Sequence, residues 1–463
     1  LKVPDGYIVA VYEHSGRKGK SRNFTGNVSN VGSSWNDIIS SYKLVRGDLS
    51  NCVRAYKDAS YKGKRWDFCP SSYGLPKPEH ANWNDQISSV KIPSGKKATF
   101  CEHVRNGNGK GRCRTFFGNT SWIGRTLNDE FSYLSWQSFN EDSFTMAVIS
   151  DTQYGYCESR TCKNGPGNAN KANDWHSDSI KALAKDSRNW AGVILNGDVT
   201  NVETMGEIDK FESDYDGAYM NLYIGLGNHD YSNYYDKWCA GDGNATAKYY
   251  CTRRIMQWFE DHVESIPVTR FDLDKDGKDR EGSYAYTWDI GDYTFFQLNN
   301  APTYQRDFRV YISSKVHKER YDINRSISWL KAELARLPRG RRVVINMHSF
   351  ASCDQFCSST SGYDGFLEAL DAHPNVVAIF AGHLHQKIGW DSRSDSGAGT
   401  NENRITTPGG KSIPYFFAGG AEYNQYLKVD FGRTRMVVTP INSRNGKAVP
   451  LGDKVARKVT ITY

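Results

Sequence analysis

Five apolar runs in this 463-residue chain each give way to side chains that ligate metals. VISDTQ delivers Asp151 and Gln153, and VILNGDVTN delivers Asp198. YIGLGNHD delivers Asn228, His229 and Asp230, VVINMHS delivers His348, and AIFAGHLH delivers His383 and His385. This feature constrains the fold twice. The runs have the length of buried strands and alternate with stretches of helical character, which indicates a layered α/β domain. The donors all fall at strand ends, where α/β sheets place their sites. Carboxylate, carboxamide and imidazole together suit divalent transition metals. GNHD or GHLH alone carries little information, whereas the ordered set, each member behind its own strand, carries much more.

Strand candidates around these donors are 144–150, 191–197, 221–226, 284–298, 342–347 and 376–381. Helix candidates are 173–187, 205–214, 250–264, 325–337 and 364–371, and the tail from 412 to 463 reads as strands and turns. The character of the chain changes near residue 140, which predicts a boundary between a region 1–140 and a region 141–463.

The region before that boundary repeats itself. Residues 12–24 (YEHSGRKGKSRNF) align with 56–68 (YKDASYKGKRWDF), so that Tyr12 matches Tyr56, Gly19 matches Gly63 and Phe24 matches Phe68. WNDIISS at 35–41 matches WNDQISS at 83–89. A weaker third copy runs from FCEH at 100–103 to LNDEFSY at 127–133, with Lys110-Gly111 where the others have Lys18-Gly19 and Lys62-Gly63. The copies lie near 7–46, 52–93 and 98–137. Alternating apolar and polar residues broken by Gly and Asn are strand-and-turn chemistry, and the shared Gly follows a turn where positive φ is expected.

This repeat resembles the βγ-crystallin Greek-key motif. The resemblance implies an all-β region and a Ca²⁺ signature of two Asn/Asp residues, two spacers, then Ser/Thr and Ser. Asn36, Asp37, Ser40 and Ser41 fit it, as do Asn84, Asp85, Ser88 and Ser89. Hard oxygen ligands of this kind suit Ca²⁺, and such residues are also common in plain turns. The third copy has Asn128, Asp129 and Ser132, with Tyr133 in place of the last Ser. Motifs of this family pair to make a domain, so three copies leave one over.

The second region resembles the calcineurin-like metallophosphoesterase superfamily over roughly 143–440. Its motifs run D-x-H, G-D, G-N-H-D/E, a lone His and G-H-x-H, and the first is here D-x-Q, with Gln153 in the His position. The fold implied is a four-layer αββα sandwich. The resemblance implies two metal ions (Mn, Fe or Zn) bridged by Asp198. Asp151, Gln153 and His385 complete one site; Asn228, His348 and His383 complete the other. A hydroxide held between the metals attacks phosphorus in line. His229 is left to protonate the leaving oxygen, with Asp230 orienting its imidazole. Purple acid phosphatases carry a ligating Tyr where Asn201 stands, so an Fe(III)–tyrosinate centre is disfavoured. The expected activity is phosphate-ester hydrolysis, with diesters favoured. Phosphomonoester hydrolysis at the same site is one alternative. Another is a calcium-dependent adhesion or targeting protein whose phosphoesterase domain has decayed.

Ten cysteines fall into five local pairs: Cys52 with Cys69, Cys101 with Cys113, Cys157 with Cys162, Cys239 with Cys251, and Cys353 with Cys357. Disulfides explain this more simply than zinc and imply an oxidising, extracytoplasmic compartment. No apolar run reaches the length of a membrane span. The chain starts at Leu1 with no signal peptide before it, and reads as a processed product or a fragment. Its net charge of +7 comes without a dense basic run, so nothing demands nucleic acid. The expected partner is a phosphate-ester substrate, with surface, glycan or lipid targeting through the crystallin-like region. Among lesser signals, DLDKDG at 272–277 matches the start of an EF-hand loop, with Ser283 where the closing Glu belongs. Asn244-Ala-Thr246 fits a glycosylation acceptor, His176 and Asn299-Asn300 are candidates to face the substrate, and His373 reads as structural.

Overall fold

A computed structural model of the chain describes residues 1–3, 7–24, 31, 33–46, 51–68, 84–105, 108–124, 127–154, 169–187, 189–215, 221–231, 250–313, 316–349, 361–385, 388, 404–449 and 458–463. These form two compact units, Leu1–Asn140 and Glu141–Tyr463. The acceptor Asn244 and the cysteines at 69, 157, 162, 239, 353 and 357 lie outside the described residues.

The first unit is all-β. Its described strands are β1 (Tyr7–His14), β2 (Lys18–Phe24), β3 (Ser41–Arg46), β4 (Val53–Asp58), β5 (Lys62–Phe68), β6 (Ser89–Lys91), β7 (Lys96–Arg105), β8 (Asn108–Phe116) and β9 (Tyr133–Ser138). Each copy of the repeat builds one antiparallel sheet with its first strand in the middle, in the orders β2-β1-β3, β5-β4-β6 and β8-β7-β9. The shared glycine lies early in the second strand at φ 80° (Gly19), 74° (Gly63) and 75° (Gly111). At Gly63 a Cβ would also collide with the Asp58 carboxylate, so the hairpin needs a residue without one. Cys101 sits directly across from Cys113 on β7 and β8, and the two are disulfide-bonded. Cys52 in this unit and Cys251 in the second each take part in a separate disulfide as well.

The second and third copies share one core. Val53, Ala55, Phe68, Ile87, Val90 and Ile92 pack with Ala98, Phe100, Phe116, Leu127, Phe131 and Leu134. The first copy has a separate, smaller core of Val3, Val9, Val11, Phe24 and Trp35.

The second unit contains β10 (Ser143–Ile149), α1 (Ala169–Asp186), β11 (Trp190–Asn196), α2 (Met205–Tyr215), β12 (Leu222–Gly225), α3 (Tyr250–Glu264), β13 (Arg270–Phe271), β14 (Asp274–Asp276), β15 (Asp279–Gly282), β16 (Tyr286–Ile290) and β17 (Tyr293–Gln297). It continues with β18 (Arg306–Ser313), β19 (Val316–Ile323), α4 (Ile327–Arg336), β20 (Arg342–Asn346), α5 (Ser361–Leu370), β21 (Val376–Ala381), β22 (Arg404–Thr406), β23 (Ser412–Phe417), β24 (Gln425–Gly432), β25 (Arg435–Asn442), β26 (Lys447–Ala448) and β27 (Val459–Thr462). One sheet has the order β12-β11-β10-β24-β25-β26, with β27 also on β25; the other runs β13-β16-β17-β20-β21-β23-β22. The strands nearest the site are parallel: β10 with β11, β11 with β12, β17 with β20, and β20 with β21.

Period-two alternation sorts these side chains into layers. Phe295 on β17 meets Phe144 and Phe431 of the other sheet, while its neighbour Phe296 meets Trp329 of α4. Tyr223 of one sheet stacks on Trp288 of the other at 4.1 Å. On the far side, Leu330 and Leu334 of α4 and Phe366, Ala369 and Leu370 of α5 cover Val343, Ile345 and Ile379. The result is a four-layer αββα sandwich.

Two local expectations differ from the fold. The run 284–298 is two strands, because Gly291 takes φ 53° and closes a hairpin between β16 and β17. The EF-hand-like segment is also a hairpin, β14–β15, and the Asp272 carboxylate accepts hydrogen bonds from the Ser283 backbone and hydroxyl.

Candidate dinuclear metal centre

The parallel strands bring five loops to one end of the sandwich, where backbone hydrogen bonds stitch them together. Asp151 N–H donates to Gly197 O, and Gln153 N–H to Asp198 O. Gly382 N–H donates to His348 O, and His348 N–H to Asn300 O. Backbone amides also hold the carboxylates: His383 N–H donates to Asp151 Oδ2 at 2.9 Å, and His229 N–H to Asp198 Oδ1 at 2.8 Å. The loops meet so closely at Gly227 that a Cβ there would collide with Asp198 Oδ1.

The convergent side chains fall into two groups that share one residue. Donor atoms of Asp198, His348 and His383 lie within 4.8 Å of one another, and so do those of Asp151, Asp198 and His385. Asn228 Oδ1 is 3.0 Å from His348 Nε2, in the first group. Gln153 lies beside the second, its Nε2 donating to Asp198 Oδ2 at 2.9 Å. Asp151, Gln153, Asp198 and His348 are fully buried. Four of the seven convergent residues hold left-handed backbone: Asp151 (φ 52°), Gln153 (φ 32°), Asp198 (φ 54°) and His383 (φ 66°). Such conformations in non-glycine residues cluster at functional sites, each costing about 1 kcal/mol or more.

Two observations test whether these residues fit metal ions. Among the described residues, the buried atom Gln153 Oε1 accepts no hydrogen bond, a costly arrangement unless a cation meets it, and Asp151 Oδ1 faces His385 Nε2 at 3.1 Å, two atoms that a cation would join. The histidines are also poised as ligands. His348 Nδ1 donates to Asn196 O at 2.8 Å, and His385 Nδ1 to Glu422 Oε1 at 2.5 Å, which turns each Nε2 toward the carboxylates. Partners of this kind fix the tautomer of metal-ligating histidines. The donor set fits.

Electrostatics point the same way. Burial disfavours a charge on Asp198, but His348 and then His229 outweigh it and hold the carboxyl below the usual range. Burial likewise works against the His348 cation, yet Asp198 pushes its pKa up to about 9. His385 is pushed up to about 11, burial being outweighed by Asp151 and Glu422. These carboxylates have room for positive charge beyond what neutral imidazoles provide.

Asp230 does something other than orient His229. Its carboxylate accepts from the backbone of Val199, Thr200 and Gly227 and from the Thr200 hydroxyl. It therefore clamps the Asp198 loop to the Asn228 loop, and burial with the nearby Asp198 charge pushes its pKa up to about 7. The His229 imidazole is held instead through Nδ1, which donates to Asn201 O at 2.9 Å. Glu207 fixes that loop by accepting from the backbone of Asn201, Val202 and Thr204.

Other candidates have structural surroundings. His176 is buried between Tyr215 OH and Gln425 O, and burial lowers its pKa to about 4. Asn299 braces Leu226 and Ser283, and Asn300 supplies the carbonyl for His348. His373 Nε2 donates to Pro338 O. In the first unit, Asp37 (φ 63°), Asp85 (φ 53°) and Asp129 (φ 60°) occupy matching left-handed turns. In each, the preceding Asn amide donates to the Asp carboxylate. Ser88 donates its hydroxyl to Lys57 O. Glu422 was not among the residues read from the sequence, although it follows the apolar run SIPYFF and a Gly-Gly step much as the other donors follow theirs.

Two donor groups sharing a carboxylate at the strand ends of an αββα sandwich define a metal-dependent hydrolase of the dinuclear class. The profile of the calcineurin-like phosphoesterase family matches residues 144–387, more than half of the chain. The chain belongs to that family and is a metal-dependent phosphoesterase. Among solved structures it is similar to a dimetal phosphatase from Danio rerio, 16% identical over 69% of this chain and 99% of that one, with TM-score 0.41. The repeat region is similar to a βγ-crystallin domain from Clostridium beijerinckii, 27% identical over 18% of this chain and 95% of that one, with TM-score 0.16. A βγ-crystallin domain from Flavobacterium johnsoniae is 24% identical over 19% of this chain and 93% of that one, with TM-score 0.15. No curated protein matches the chain.

Proposed function

We propose that this chain is a secreted phosphodiesterase. Its two metals would be held by Asp151, Gln153 and His385 on one side and Asn228, His348 and His383 on the other, with Asp198 serving both. The observation that carries this reading is the pair of donor groups sharing Asp198. When bound, manganese, iron or zinc ions supply Lewis acidity toward phosphoryl oxygens and a water acidified to near neutrality. The chain's own residues do the rest. Asp198 and Asp151 concentrate negative charge where the cations sit. Asp230 keeps the two central loops in register. A carbonyl only accepts, so Nδ1 of His229 carries its proton toward Asn201, and the ring exchanges protons with the leaving oxygen through Nε2.

Diesters are favoured because Asn201 offers no phenolate where purple acid phosphatases place one. Secretion is inferred from the cysteine pairing. The crystallin-like region would bind Ca²⁺ through Asn36, Asp37 and Ser40 and through Asn84, Asp85 and Ser88, and hold the enzyme at a surface, glycan or lipid. Matching left-handed turns at Asp37 and Asp85 support an equivalent role for the two loops.

The test is elemental analysis of the wild type and Asp198→Asn, with p-nitrophenyl phosphate and bis-p-nitrophenyl phosphate assayed in parallel. About two transition metals per chain are expected, with both metals and hydrolysis lost in the variant. Full occupancy in Asp198→Asn would remove the bridging role, and faster hydrolysis of the monoester would replace diester with monoester. His229→Ala should keep its metals while kcat falls by about 10²–10⁴.

A further inference from the structure

The second and third copies of the repeat pair with a reciprocity that shows what a single motif face is built to meet. Asp85 and Asp129 occupy the same place in their copies, as do Ile87 and Phe131. Asp85 N–H donates to Phe131 O at 3.0 Å, and Asp129 N–H donates to Ile87 O at 3.2 Å. Each motif thus gives the other the bond it receives, which is the pattern of a two-fold axis. The apolar face around these bonds is closed: Ile87 and Val90 are 0% exposed and Ile92 is 6% exposed.

The first copy carries the same face without that cover. In the repeat, Ile39 corresponds to Ile87, Tyr42 to Val90 and Leu44 to Ile92. The strand register agrees, since Val11 pairs with Tyr42 as its equivalent Ala55 pairs with Val90. Yet Ile39 is 37% exposed, Tyr42 69% and Leu44 45%. Residues deeper in the sheet, Val9, Val11 and Phe24, are buried just as their counterparts Val53, Ala55 and Phe68 are. The motif is therefore folded, and what distinguishes it is that no partner motif covers this face among the described residues. Asp37 takes the same left-handed turn as Asp85, so the loop is already set for the reciprocal bond.

We infer that the first motif pairs with the first motif of a second copy of this chain, making a two-fold homodimer. A face that is self-complementary in a pseudo-two-fold pair inside the chain is self-complementary between identical chains as well. The second and third motifs already occupy each other, which leaves the first motif of another molecule as the chemically matched occupant. In the dimer, Asp37 N–H of each chain donates to Ile39 O of the other, and Ile39, Tyr42 and Leu44 leave water. The inference is independent of the phosphodiesterase reading.

Sedimentation velocity on the full chain tests it, with calcium and with chelator, at roughly 100 µM, where a Kd of about 10 µM or tighter leaves mostly dimer. A dimer is expected in at least one of the two buffers. Leu44→Asp and Tyr42→Asp each place a charge on an exposed position and should halve the mass with unchanged far-ultraviolet circular dichroism and unchanged phosphoesterase turnover. A monomeric wild type in both buffers would overturn the inference. A dimer that persists in both variants would do so too, by placing the contact elsewhere.

Discussion

A histidine beside a buried carboxylate holds its proton tightly, and the centre contains two such pairs. His348 is pushed to about 9 and His385 to about 11 by Asp198, Asp151 and Glu422 against the opposing effect of burial. Both folded values lie above the ordinary imidazole value. In the metal-free chain these ion pairs therefore contribute fully below that value, and the His348 contribution is lost as pH rises through about 9. Metal needs the unprotonated rings, so loading of chelated protein should strengthen from neutral pH to about 9, roughly tenfold per pH unit for each proton displaced. Calorimetric titration in buffers of different ionisation enthalpy measures those protons. Glu422→Ala should weaken metal affinity by about 10- to 100-fold and Glu422→Gln, which keeps an acceptor oxygen, by less. Equal losses in the two would make charge the cause. At this scale the sequence was most informative where a donor follows its own apolar run, as with Asp151 or His383. It was silent where the partner is backbone: nothing in GNHD says that Asp230 grips the amides of Val199, Thr200 and Gly227 while a carbonyl at Asn201 takes His229.

Elements succeed here by approaching one another closely, and two of those approaches can be probed. A methyl group at Gly227 would meet Asp198 Oδ1, so Gly227→Ala should displace the shared carboxylate. The expected result is loss of metal with the far-ultraviolet spectrum retained; normal metal content in that variant would show that the loop yields. The Cys101–Cys113 link closes a sequence separation of 12 residues across β7 and β8. Replacing both by Ser should cost the first unit about 3 kcal/mol in urea denaturation, by release of loop-closure entropy. Helices α1 to α5 were legible because their apolar spacing and ends are local signals. The β16–β17 hairpin was missed because YAYTWDIGDYTFFQL is apolar on both sides of its turn, and only Gly291 marks the reversal. The β18–β19 hairpin went unread as well: it contributes no donor and packs as a satellite sheet with β14 and β15.

The whole molecule joins an all-β unit and an αββα unit, each with its own core. The change of residue pattern near 140 made this plan readable. The way three repeats share two cores was not readable, because pairing between copies leaves no mark on any single copy. Phe131 meets both Phe100 and Phe116 in the shared core, and Phe131→Ala should destabilise the first unit by about 3–5 kcal/mol, seen as a lower urea midpoint. For the second unit, ligand linkage predicts that metal at about 1,000 times its Kd adds about 4 kcal/mol. Chelation should lower its thermal midpoint, and Asp198→Asn should not respond to added manganese.

The left-handed backbone at Asp151, Gln153, Asp198 and His383 has a consequence for evolutionary drift. Glycine or asparagine suits those torsions better than the residues that stand there, and neither crowds like charge as the paired aspartates do. A lineage released from selection for catalysis would gain stability by changing these positions first. Decayed descendants should thus outlast the metal-free form of their active ancestors in heat, and the ligands would disappear before the sandwich that carried them.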